Sequence, residues 1–129
     1  MSRFLFHLYV NICIMPDVNK YDLSRTIDAD IRRQIRQACG FGCCVCGNAI
    51  TEYEHVDPPF EEAKIHDPQH ITLLCTGCHG KVTRKFWSKD KIKKAMQNPA
   101  CLAQGYSNEV FDFGLDSPWL QLGGVTIQH

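Results

Sequence analysis

The chain holds 129 residues, 44% of them hydrophobic and 22% charged, the make-up of one ordinary globular domain; wholesale disorder and a two-domain enzyme are excluded. Lysine plus arginine balances aspartate plus glutamate at 14 each, so no global field draws the protein toward nucleic acid or a membrane. A core this small gains from a metal staple, and eight cysteines supply the means.

The most apolar stretch, Phe4 to Met15, is shorter than the roughly 20 residues of a membrane span, and His7 and Asn11 interrupt it. Arg3 ahead of it gives a faint likeness to a signal peptide, but no small-residue cleavage site precedes Pro16. The expectation is an extra strand or an upstream extension, in a cytoplasmic protein with no membrane partner. Residues 16–26 are polar, with Thr26 and Asp28 as rival helix caps. Ile27, Ile31 and Ile35 then recur every four residues, while Arg25, Arg32 and Arg36 form another stripe with Arg33 beside it. This predicts an amphipathic helix over 27–38, ended by Gly40 and Gly42.

GCCVCGNAI, from Gly42 to Ile50, reads as a tight cysteine-bearing turn, followed by an extended run over Thr51 to Val56. Prolines and charges make Asp57 to Gln69 a surface loop, and Ile71 to Leu74 a short strand leading into Cys75. A helix is predicted to start near Cys78, and a lysine-rich one to run from a Ser88 cap to Gln97, stopped by Asn98 and Pro99. Beyond it, Phe111, Phe113 and Leu115 alternate as in a strand, a turn is expected at Asp116 to Pro118, and Trp119 to Leu122 and Val125 to Ile127 flank Gly123-Gly124. These strands read either as the start of a further domain or as a small sheet packed on the core. The fold class expected is α+β.

Cys43 and Cys46 form one CxxC pair and Cys75 and Cys78 another, and two such turns can close a tetrahedral four-sulfur zinc site. The stretch from Gly47 to Leu74 exceeds the spacing of a simple zinc ribbon, so something is inserted between the knuckles. Two disulfides are the alternative, disfavoured in a reducing compartment. Cys44 makes no second pair because position 47 is glycine, and Cys13, Cys39 and Cys101 read as buried small hydrophobes. Four histidines, His55, His66, His70 and His79, lie within or just after this framework. Glu54 precedes His55, and on a strand the two would point to opposite sides, one toward a metal and the other toward substrate.

GCCVCG, then YEHVDP, then HDPQHITLLCTGCHGKVT resembles the zinc-containing branch of the HNH endonucleases, over about residues 27–87. The resemblance implies a ββα-metal (His-Me finger, treble-clef-like) core and metal-dependent hydrolysis of DNA phosphodiester bonds. It makes His55 the general base, and assigns Glu54 and His79 to a catalytic divalent cation, Mg2+ or another, beside the structural Zn2+ on the four cysteines. Where the family has asparagine this chain has His70, a departure; His66, four residues earlier, is an alternative partner. Domains follow as an extension over 1–26, an HNH-like zinc domain over 27–98 and a β-rich tail over 99–129.

A basic run, Lys81, Arg84, Lys85, Lys89, Lys91, Lys93 and Lys94, interleaved with Phe86 and Trp87, is the expected DNA-binding face. Arg32 and Arg36 would form a second wall. The rival expectations are a non-catalytic zinc module that binds nucleic acid and a protein scaffold using Phe111 to Ile127. Proteins of this kind act as monomers or as pairs, so a homo-oligomer is one of two expectations.

Overall fold

In the computed structural model, residues 17–117 and 119–128 are described. Phe4 to Met15, Cys13 among them, and Pro118 lie outside the described residues. The elements run, in chain order, α1 (Ala29–Cys39), β1 (Glu52–His55), a single 3-10 turn (Phe60–Glu62), β2 (Ile71–Leu74), α2 (Thr76–Thr83), α3 (Lys89–Gln97), α4 (Ala100–Gln104), β3 (Trp119–Leu122) and β4 (Val125–Gln128). This is the expected α+β composition. Among the described residues no helix is long and apolar enough to cross a membrane.

Of the two rival caps, Asp28 stands at the N-cap of α1. The isoleucine stripe then faces inward: Ile35 is fully buried, Ile27 is buried, and Ile31 packs against the same cluster. Gly40 ends the helix with φ +68°, a left-handed conformation that a side chain disfavours, and Phe41 N–H closes the turn on the Arg36 carbonyl.

β1 and β2 pair antiparallel in the register Glu52↔Leu74, Tyr53↔Leu73, Glu54↔Thr72 and His55↔Ile71. All four β2 residues are buried, so the hairpin forms the centre of the core, with Leu74 and Thr72 deepest. The Thr72 hydroxyl is satisfied by Cys39, Oγ1 to Sγ 3.3 Å. α3 adds Ile92, fully buried, to the same core, and Ser88 caps the helix by accepting the Lys91 N–H. Burying one such isoleucine is worth about 1.5–3 kcal/mol.

Two parts differ from the sequence reading, and one tie between loops had no reading at all. α2 begins at Thr76 rather than near Cys78, because Cys75 is itself the cap and its sulfur accepts the Cys78 N–H at 3.4 Å. Asn19 ties residues 17–25 to the loop between β1 and β2: its amide donates to the Phe60 and Ala63 carbonyls at 2.6 Å each, and its Oδ1 accepts from Tyr21 and Leu23. The alternation of Phe111, Phe113 and Leu115 makes no strand. Asp112 instead accepts the Gly114 N–H, Gly114 takes φ +58°, and the chain turns there. The Trp119 and Val125 runs do pair, as the hairpin β3–β4.

Candidate metal centre and histidine sites

The first knuckle is shaped by backbone bonds from Cys43 N–H to Asn48 O and from Gly47 N–H to Cys43 O, with Gly47 at φ +80°. The second is the start of α2. Together they bring the sulfurs of Cys43, Cys46, Cys75 and Cys78 within 4.8 Å of one another. Cys46 and Cys75 stand 3.6 Å apart, far beyond a disulfide but near the about 3.8 Å edge of a tetrahedron with 2.3 Å zinc–sulfur bonds. All the described cysteines are free thiols. The four can hold a metal ion such as zinc.

The thiol chemistry agrees. Burial pushes the Cys43 thiol up, but backbone N–H groups of Cys75, Cys46 and Val45 outweigh it, and the net direction is down. Cys46 is pushed up to about 11, first by burial and then by its sulfur neighbours against the help of the Asn48 backbone. Cys78 is raised by burial and by Cys75. Four packed sulfurs cannot all be thiolates without a cation among them. Cys44, facing the core, is raised to about 12 by burial and stands outside the cluster.

β1 sorts the next groups by alternation, as the Glu-His reading required. Glu52 and Glu54 lie on one side, where His79 from α2 stands between them: Nδ1 is 3.0 Å from Glu52 Oε2 and Nε2 is 3.0 Å from Glu54 Oε2. Lys89 reaches the same carboxylate at Oε1 and donates to the His55 carbonyl at 3.0 Å. A neutral imidazole has one N–H, so two carboxylates on its two nitrogens require a second proton or a cation.

His55 occupies the opposite side. Its Nε2 meets His66 Nδ1 at 3.0 Å, and His66 Nε2 meets the Ser24 carbonyl at 2.8 Å. A carbonyl only accepts, so the proton of neutral His66 is on Nε2 and His66 Nδ1 accepts the His55 Nε2–H. His55 Nδ1 is left with its lone pair. Burial, then His66, lowers the His55 pKa from its ordinary 6.5 and favours this neutral form.

The structure therefore brings Glu54 and His79 together, with His55 adjacent in chain but facing away from them. His55 shares no pocket with Glu54 and His79, and the reason is the strand's period of two. His70 is exposed, its ring 3.9 Å from Asp67, while its carbonyl accepts the Val56 N–H; His66 is the partner of His55. Glu52 and Lys89 went unread in the sequence as members of this site. A two-residue periodicity back from Glu54 was the available signal for Glu52, whereas nothing local signals Lys89.

The basic run is more engaged than its composition suggests. Lys81 and Lys91 each lie 4.6 Å over the Trp87 ring, Lys89 binds Glu54, and Lys93 pairs with Asp57 at 2.7 Å. Arg84 and Lys85 are exposed. Phe86 is 75% exposed, so only Trp87 of the aromatic pair packs on the core. In α1, Arg36 donates to the Tyr53 hydroxyl at 3.1 Å, and Arg32 lines a cleft beside His55. Compared with protein-family models, curated proteins and solved structures, the chain matches none of them.

Proposed function

We propose that Cys43, Cys46, Cys75 and Cys78 hold one structural zinc, and that the chain is an HNH-type endonuclease hydrolysing DNA phosphodiester bonds. The observation that carries the reading is the His79 ring held between Glu52 and Glu54, one strand position from a histidine with a free ring nitrogen. The order of parts supports it: knuckle, β1, β2, then α2 opening on the second knuckle, the sequence of elements in a ββα-metal core.

Glu54 Oε2 and His79 Nε2, 3.0 Å apart, have the spacing of adjacent ligands at bonds of about 2.1 Å, so a magnesium- or manganese-like cation fits the pair. Glu52 on Nδ1 would orient the ring for that purpose. When bound, such a cation supplies Lewis-acid stabilisation of charge on the phosphate and the leaving oxygen. In this scheme His55 Nδ1 takes the proton of the attacking water, and His66 with the Ser24 carbonyl fixes the tautomer that leaves this nitrogen free.

A second reading has an observation of its own. The Lys89 ammonium already neutralises Glu54, as it would in a non-catalytic zinc module that binds nucleic acid. Purified protein incubated with supercoiled plasmid and Mg2+ or Mn2+ separates the two. The nuclease reading expects nicked or linear DNA, and a loss of about 100-fold or more in rate for His55→Ala. Plasmid shifted on a gel but left intact under every cation tried would leave the binding module.

A further inference from the structure

The face of the β1–β2 hairpin that carries His55 opens into a cleft of about 420 Å³ whose walls include Arg25, Arg32, Tyr53, His55 and Phe60. Among the described residues no carboxylate lines it. Among the described residues neither Arg25 nor Arg32 has an ion-pair partner, whereas Lys89 and Lys93 are each taken up by an acid. The Arg25 guanidinium sits 4.3 Å over the Phe60 ring, an aromatic contact that orients it without neutralising it. Tyr53 accepts a hydrogen bond from Arg36, which leaves its own hydroxyl proton to donate elsewhere. Two unneutralised planar forks and a spare hydroxyl donor in one concavity are the complement of a tetrahedral oxyanion.

We infer that this cleft is a phosphate-binding site held by Arg25 and Arg32. In the nuclease reading, on which only this extension rests, it seats the phosphate of a nucleic-acid strand beside His55. The anion is then gripped from α1 and the segment before it, while Lys89 and Lys93 of α3 are engaged with Glu54 and Asp57.

The test titrates the full protein, without added divalent cation, with inorganic phosphate followed by NMR and with a single-stranded oligonucleotide followed by fluorescence anisotropy. Arg25→Gln and Arg32→Gln are compared with Arg33→Gln, which removes the same charge from α1 but at a residue paired with Asp30. Zinc content and melting temperature verify that each variant is folded. The expected result is a loss of about tenfold or more in phosphate affinity for each cleft variant and little change for Arg33→Gln. For the oligonucleotide, the dependence of log affinity on log salt becomes shallower by about one per arginine removed.

Phosphate bound without the oligonucleotide would support the cleft with a free phosphate as its source. Phosphate affinity equal in parent and cleft variants, or no response of the cleft residues to phosphate, would overturn it. Cleavage enters none of these readings. A protein that cuts no DNA yet loses phosphate affinity in Arg25→Gln defeats the nuclease reading alone, and one that cuts DNA while phosphate affinity is unchanged in both variants defeats the cleft alone.

Discussion

Cys43 and Cys44 are neighbours in opposite surroundings. The amides of the two knuckles surround the Cys43 sulfur and favour its thiolate, whereas burial near Thr72 and Cys39 raises the Cys44 thiol to about 12 and keeps it protonated. A thiolate is the metal ligand and the nucleophile, so only Cys43 of the two should do either. Replacing Cys43 by Ser should abolish tight zinc binding, while Cys44→Ala should retain about one zinc per chain, read by metal analysis after gel filtration. Zinc retained in the first variant and lost in the second would reverse the assignment. This distinction was legible in the sequence, since Gly47 denies Cys44 a partner at the right spacing. The partnership of His55 with His66 was legible only as an alternative. The two are eleven positions apart across a loop whose path is set by Asn19, a residue with no local link to either.

At the scale of elements, caps and periodicity carried most of the information. Ser88 to Gln97 and Ile71 to Leu74 appear at the expected bounds, because a capped amphipathic helix and an apolar run before a cysteine are local patterns. α4 was missed. ACLAQ is too short to show a period, and tertiary contacts position it: the Ala100 N–H donates to the Cys44 carbonyl and Cys101 Sγ to the Gly47 carbonyl. Loop and α3 are joined by Lys93 and Asp57, whose mutual hydrogen bond lowers Asp57 below 3.8 and raises Lys93 above 10.5. The Asp57 contribution is complete above pH 3.8 and lost as pH falls through its lowered value. The Lys93 contribution is complete below pH 10.5 and lost as pH rises through its raised value. Both side chains are solvated, so the latch is weak and salt-sensitive. Lys93→Met should therefore lower the melting temperature slightly at neutral pH and low salt. The gap should close at high salt and above pH 10.5; on the acid side, loss of any metal held by the four cysteines, as their thiols protonate, would intervene first. A gap that persists unchanged at high pH and high salt would assign the effect to packing.

For the whole molecule, the cysteine cluster is where separate parts of the chain meet. The first knuckle bonds to β2 through Cys44 N–H and Leu73 O, to α4 through Ala100 N–H and Cys44 O, and to the segment beyond through Asn108 N–H and Gly47 O. The second knuckle is the N-terminus of α2, which carries His79 to the acids of β1. A metal on the four sulfurs would thus fix the hairpin, two helices and both histidine-bearing faces at once. The free energy of binding at such a site, about 10–16 kcal/mol for small zinc modules, is comparable to the about 5–15 kcal/mol by which a domain of this size is stable. Stripping the metal with a chelator should consequently abolish cooperative thermal unfolding and open Cys43, Cys46, Cys75 and Cys78 to alkylation together. Restoring one equivalent of zinc should recover both properties and release protons into a weakly buffered solution, since ordinary thiols are mostly protonated at neutral pH and bind a metal as thiolates. Metal-free protein that still melts cooperatively at the original temperature would show that the hydrophobic core around Ile35, Leu74 and Ile92 suffices by itself, and that the sulfurs serve something other than the fold.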